Sequence, residues 1–193
     1  MVTVLIFMLP RSYTPSQKSA SLRAVQLSFH PFGPADVGPL ARFLAESDWP
    51  FHHEASVDEN WVRARVESGH FFGADAKSFL VRDETEQPIA FGRIFDLSDL
   101  TPLLDLRVAA AARGRGVGTL ALRGLTAWLF SEYPEAGRLA GYTRYDNLAM
   151  RRVFEKCGFL LEARHRRAWR VAGAEPVDCV GYAILRAEAE QLG

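Results

Sequence analysis

Arg113-Gly114-Arg115-Gly116-Val117-Gly118-Thr119 sits between a strand-like run and a long helical one, and its reading decides how the rest of the chain is understood. Three glycines in five positions remove side chains where a ligand must come close to the backbone. The helix that follows offers unpaired N–H groups and the positive end of its dipole, an environment that favours phosphate oxygens. Arg113 and Arg115 add charge-assisted donors. The stretch therefore reads as a pyrophosphate cradle. It is not a dinucleotide fingerprint, because Thr119 stands where the third glycine of G-x-G-x-x-G belongs. Nor is it a P-loop, which needs a lysine at the start of the helix. Taken alone, a tight strand-to-helix turn with two surface arginines explains the same residues.

Working outward, hydrophobic periodicity sets this loop in a chain of alternating elements. Residues 24–29 alternate as a short strand, and 35–46 carry Val37, Leu40, Phe43 and Leu44 at helical spacing. A second helix spans 57–67, with Asp58 in its cap region. Residues 78–82 and 88–95 are strands joined by a polar turn, an antiparallel hairpin. The strand 103–108 leads into the cradle. The helix after it, 116–132, presents Val117, Leu120, Ala121, Leu125, Trp128 and Leu129 as one apolar stripe and stops before Pro134. Residues 139–143 form a short strand. A helix over 147–157 follows, with Met150, Val153, Phe154 and Cys157 on one face and Gly158 closing it. Strands at 160–171 and 177–185 flank a turn containing Gly173. The order β-α-α-β-β-β-α-β-α-β-β implies an α/β protein built on a sheet of mixed strand direction.

Composition narrows the function classes. The chain has 193 residues, 23 basic and 23 acidic, so bulk charge gives it no attraction for nucleic acid. With 48% apolar and 24% charged residues it is an ordinary globular sequence. Residues 11–21 are polar and serine-rich, and residues 1–21 read as a flexible tail before a single domain over 22–193. The apolar run 1–10 is about half of what a membrane span needs and lacks the features of a secretory signal. Two cysteines, Cys157 and Cys179, leave no metal cage or disulfide framework. A cytoplasmic protein that binds neither membrane nor nucleic acid is expected. The basic run 164–170 reads as a solvated sheet edge.

A second motif joins the cradle: Asn147-Leu148-Ala149-Met150-Arg151-Arg152-Val153-Phe154-Glu155-Lys156-Cys157-Gly158-Phe159. Together with Arg113, Gly116 and Gly118 in Arg-x-x-Gly-x-Gly, it resembles the Gcn5-related N-acetyltransferase (GNAT) superfamily over about residues 22–186. Glu162, Asp178, Tyr182 and Leu185 look like the branch that contains the ribosomal-protein N-terminal acetyltransferases. The resemblance implies a mixed, mostly antiparallel central sheet flanked by about four helices. It also implies transfer of an acetyl group from acetyl-CoA to a primary amine by direct attack.

The residues carry over one by one. Leu106, Arg107 and Val108 would pair with the cofactor's pantetheine arm, with the Val108 N–H on the thioester carbonyl. Arg113, Gly114, Arg115, Gly116, Val117, Gly118 and Thr119 would cradle the pyrophosphate. Asn147 would hydrogen-bond the cofactor arm, and Ala149, Val153 and Phe154 would line its channel, although a helix cap and core packing explain them equally well. Two positions depart from the family. Phe154 replaces a tyrosine that protonates the leaving thiolate, which leaves Tyr142 and Tyr145 as substitutes. Pro102 stands where several members carry a carboxylate base, which leaves Asp105, and after it Asp99, to accept or bind the amine. The acceptor side is read in Trp49, Phe51 and His52, an aromatic wall with an adjacent histidine that could hold a cation, and with His52 or His53 relaying a proton. Trp and Phe plugging the core edge is the other reading of that loop. The acceptor would be a peptide N-terminus or a small amine such as an aminoglycoside or polyamine, and a homodimer is left open. An acyl-CoA-binding module without turnover is the alternative function.

Overall fold

Period-two alternation gives most strands of this chain two apolar faces, and each face gathers its own helices. The structure is a computed structural model and describes residues 27–52, 54 and 56–192. The tail expected over 1–21, the start of the strand read at 24–29, and His53 lie outside the described residues. The strands are β1 (Ser28–Pro31), β2 (Ala76–Arg82), β3 (Pro88–Phe95), β4 (Leu103–Val108), β5 (Arg138–Arg144), β6 (Leu160–Val171) and β7 (Ala174–Leu185). The helices are α1 (Val37–Ala45), α2 (Glu59–Glu67), α3 (Val117–Glu132), α4 (Leu148–Lys156) and α5 (Arg186–Glu190).

All seven strands join one sheet in the order β1-β2-β3-β4-β5-β7-β6. Every neighbouring pair is antiparallel except β4 and β5, which run parallel. On one face Phe79, Val81, Ala90, Ile94, Leu104 and Leu106 pack with Val117, Ala121, Leu125 and Leu129 of α3 and Phe154 of α4. On the other face Leu80 and Phe91 pack with Leu40, Phe43 and Leu44 of α1, Val62 of α2, and Trp49 from the loop between those helices. Asp58 caps α2 as expected, its Oδ1 accepting from the Trp61 N–H at 2.8 Å.

The expected element order is present, with one addition. Helix α5, five residues long, is too short to show a period in sequence. It starts where the Arg186 side chain turns onto the end of α3. There Nη1 donates to the Phe130 carbonyl at 2.6 Å and Nη2 to the Tyr133 carbonyl at 2.7 Å, while Nε and Nη2 share the Ala136 carbonyl at 3.0 and 2.8 Å. A cation at this end of α3 satisfies carbonyls that the helix leaves free and complements its dipole. Arg186→Ala is therefore expected to cost about 2–3 kcal/mol in urea unfolding. A change under about 0.5 kcal/mol would show that water replaces the guanidinium without loss.

Candidate active site

The parallel pairing of β4 and β5 is brief. Leu103 pairs with Ala140 and Leu104 with Gly141, and there the register ends. On its other side β4 stays paired with β3 from Leu103 to Val108, and the Ala109 N–H continues the ladder by donating to the Ile89 carbonyl at 3.0 Å. In an antiparallel ladder, alternate residues turn their amides to the same neighbour. The Ala109 bond therefore assigns the amides of Asp105 and Arg107 to β3. Those of Leu106 and Val108 face the gap that opens beside β5. Arg107, expected at the cofactor, thus turns neither its amide nor, as shown below, its side chain to this gap.

At the mouth of the gap the chain makes a short 3-10 turn, Ala110–Ala112, and enters the glycine loop. Gly114 and Gly116 have φ of 74° and 82°, and a Cβ on either would meet nothing within 4 Å. The loop is thus both left-handed and uncovered. The helical bonds of α3 begin with the Leu120 N–H on the Gly116 carbonyl, so the amides of Val117, Gly118 and Thr119 precede the ladder. Gly118 seats the start of α3, since a Cβ there would lie 3.3 Å from Val153 of α4 and 3.6 Å from Val108. This concavity of free amides at a helix N-terminus suits a polyanion. Arg115 is exposed beside it. Arg113 is committed elsewhere, with Nε on the Val108 carbonyl at 3.0 Å and Nη2 on the Asp48 carbonyl at 2.7 Å.

That second bond ties the loop between α1 and α2 to the end of β4. A matching bond from Arg144 Nη1 to the Pro50 carbonyl, 3.0 Å, ties the same loop to the end of β5, where the Arg144 guanidinium also lies 5.1 Å from the Phe51 ring. Residues 48–52 thus carry anchors from both sides of the gap. Trp49 corrects the expectation of an exposed aromatic wall. It is 1% exposed, its Nε1 donates to the Leu44 carbonyl at 2.8 Å, and its ring packs on Phe43, so it plugs the core. His52 stands edge-on to the Trp49 ring and reaches β4, its Nε2 3.2 Å from Asp105 Oδ1.

Around Asp105 the same face carries charge that the sequence pattern did not reveal. Arg93 of β3 lies directly opposite Asp105 in the register, and Arg107 follows two residues on. Arg107 Nε is 3.5 Å from Asp105 Oδ2, with its guanidinium 5.5 Å from the Trp49 ring. Burial alone would raise the Asp105 carboxyl pKa. Arg107, the His52 hydrogen bond and Arg93 outweigh it and hold the pKa well below the usual carboxylate range. The His70 pKa is lowered as well. Burial first, then Arg93 and Arg65, lowers its pKa to about 4. Arg93 and His70 escaped the sequence reading. The available signal was a lone arginine in the middle of an otherwise apolar strand.

The remaining candidates are placed as follows. Asn147 is buried and caps α4, its Oδ1 accepting from the Met150 N–H at 3.2 Å while Nδ2 donates to Thr143 Oγ1 at 2.9 Å. Ala149 is exposed on the first turn of α4. Phe154 is 1% exposed, stacks on Tyr182 with ring centroids 4.9 Å apart, and lies under Gly141, where a Cβ would approach its ring to 2.7 Å. Tyr145 is not brought to Asp105; its ring packs under the guanidinium groups of Arg151 and Arg164 on the β6 side. Asp99 is exposed in the turn before β4 and accepts from the Thr101 N–H. Cys157 is a core thiol that donates to the Thr119 carbonyl at 3.4 Å, and burial raises its pKa to about 11. Among the described residues no cluster of His, Cys, Asp and Glu could hold a metal ion. None of the described helices is long and apolar enough to cross a membrane.

Comparison with known proteins agrees with this architecture. A family model described as an acetyltransferase (GNAT) domain matches residues 26–160. The spermidine N-acetyltransferase of Vibrio cholerae, solved with CoA and spermine, superposes with a TM-score of 0.74 at 13% identity, over 85% of this chain and 98% of that one. RimL, a ribosomal L7/L12 alpha-N-protein acetyltransferase solved with coenzyme A, gives 0.73 at 17% identity, over 82% and 93%. At these identities the two structures speak for the fold. No curated protein sequence matches the chain. The splayed strands, the glycine cradle at the head of α3 and the family match together lead to one conclusion: the chain belongs to the GNAT family of acetyltransferases.

Proposed function

We propose that this acetyltransferase takes its acetyl group from acetyl-CoA, held between the parted strands, and passes it to a primary amine that approaches from the face of α1 and α2. The observation that carries the reading is two sets of free amides, those of Leu106 and Val108 on the gap and those of the first turn of α3 at its mouth. A long, amide-bearing, pyrophosphate-linked carrier fits both sets, and the bare left-handed glycines leave room for its phosphates. When bound, acetyl-CoA supplies an acyl group already activated toward nitrogen.

The chain's own residues then have separate tasks. The amides of Val117, Gly118 and Thr119 hold phosphate oxygens. Leu106 offers its backbone N–H and carbonyl to the carrier's arm, and the Val108 N–H is the donor available to a carbonyl oxygen that gains charge, an interaction worth a few kcal/mol. Fixing both reactants across one gap removes much of the entropic barrier. An alkylammonium with pKa about 10 must still lose a proton. Asp105 is ionised but far too acidic to take it. It serves as the group that orients His52, and His52 is the base: with Nε2 on Asp105, its buried Nδ1 has no partner among the described residues and takes the proton once the bound amine reaches it. Phe154 has no proton to give and belongs to the core. A departing thiol of pKa about 8.5 leaves without one. Two buried free thiols suit a reducing cytoplasm.

Two experiments test this reading. Gly116→Val forces a branched side chain into the left-handed, open position, so CoA binding measured by calorimetry is expected to weaken at least about a hundredfold. Undiminished binding would remove the cradle from the site. His52→Gln is expected to lower kcat about a hundredfold at neutral pH with CoA affinity intact, and to abolish the acid limb of the pH–rate profile. A wild-type limb in the variant would exclude His52 as the base.

A further inference from the structure

We infer that the acceptor amine carries a carboxylate, and that Arg93 and Arg107 receive it. This deepens the transferase reading and rests on it.

The observation is a shortage of anions. Arg107 is a fully charged side chain only 8% exposed, yet its one ion pair is the 3.5 Å approach of Nε to Asp105, beyond good hydrogen-bond length, and its Nη1 is buried with no partner among the described residues. Arg93, half-buried beside it, also leaves Nε without a partner, and its guanidinium rests 4.1 Å from the Phe95 ring. The carboxylates nearby make no ion pair with Arg93. Asp105 gives Oδ1 to His52 and faces Arg107 with Oδ2, Glu54 is taken by Arg65 at 3.0 Å, Asp75 accepts from the Ser98 N–H at 2.8 Å, and Asp96 acts on Arg93 only through its field. The same positive field helps to keep His70 neutral.

A fold that buries guanidinium donors without satisfying them bears a large desolvation cost, and an arriving carboxylate removes it through short, charge-assisted bonds. Arg93 is the more exposed of the two and Arg107 the more buried, both on the strand face that carries the His52–Asp105 pair. A polycation such as spermidine would meet this field with the wrong sign, and no unspent acidic cluster among the described residues would hold it. Two sources share the required chemistry: the α-carboxylate of a free amino acid, and the side chain of an acidic N-terminal residue on a peptide.

Free-thiol release at saturating acetyl-CoA separates them. One arm compares L-serine with L-serinamide. A second compares Asp-Ala-amide with Asn-Ala-amide, and spermidine is assayed alongside. The expected result is a kcat/KM at least roughly tenfold higher for the carboxylate member of one pair, and that pair identifies the source. In Arg93→Gln and Arg107→Gln the preference should collapse through a raised KM for the acceptor, with KM for acetyl-CoA unchanged. Should Arg107→Gln fail to fold, the more exposed Arg93→Gln carries the same readout. Amides or spermidine turning over as well as the carboxylates, or a preference that survives in the variants, would overturn the inference and leave the transferase reading standing. CoA binding with no turnover of any amine would overturn the transferase reading itself, and this inference with it.

Discussion

After two paired residues, β4 and β5 separate, and much of the rest of the molecule is arranged around that parting. A strand edge inside a sheet normally finds a neighbour for each of its amides. Here one edge of β4 loses that neighbour after Leu104 while the other stays fully bonded to β3. The separation is supported from beneath. Phe154 rises against Gly141 at the last paired position, and Gly118 lets the head of α3 settle onto Val108 and Val153. The amides so exposed face a gap whose mouth opens onto the free N–H groups of α3.

One strand then serves two purposes through its pleat. Leu106 and Val108 turn their backbone to the gap, with the Leu106 side chain in the core under α3. Asp105 and Arg107 turn their backbone to β3 and their side chains to the opposite face, where His52 and Arg93 meet them. A period of two thus divides the gap from the charged cluster on adjacent residues, which brings the two together without any long element between them. In the proposed mechanism Asp105, three residues after Pro102, is the carboxylate that holds the histidine.

The sequence made the scaffold legible because its signals were local. The apolar stripe of α3, the Asp58 cap and the glycine spacing each depend on a few neighbouring residues, and each is present with boundaries shifted by little. Strand β7 starts earlier than read, because pairing with β6 carries it back to the Gly173 turn regardless of its own pattern. The site was legible on one side only. Left-handed glycines declare themselves, whereas the placement of Arg93 opposite Asp105 depends on strand register and the pairing of His52 with Asp105 on a loop reaching across the sheet. Trp49 shows the same limit: its composition fits an open aromatic wall, and only tertiary packing sends it inward.

The loop over residues 48–52 is gripped in an unusual manner. Arg113 and Arg144 hold it by the main-chain oxygens of Asp48 and Pro50, groups that every amino acid possesses. Its attachment is therefore indifferent to most of its own side chains. Natural drift or deliberate redesign can rewrite what this segment presents to an incoming molecule while the framework beneath keeps its shape, so that selectivity and architecture evolve on separate accounts.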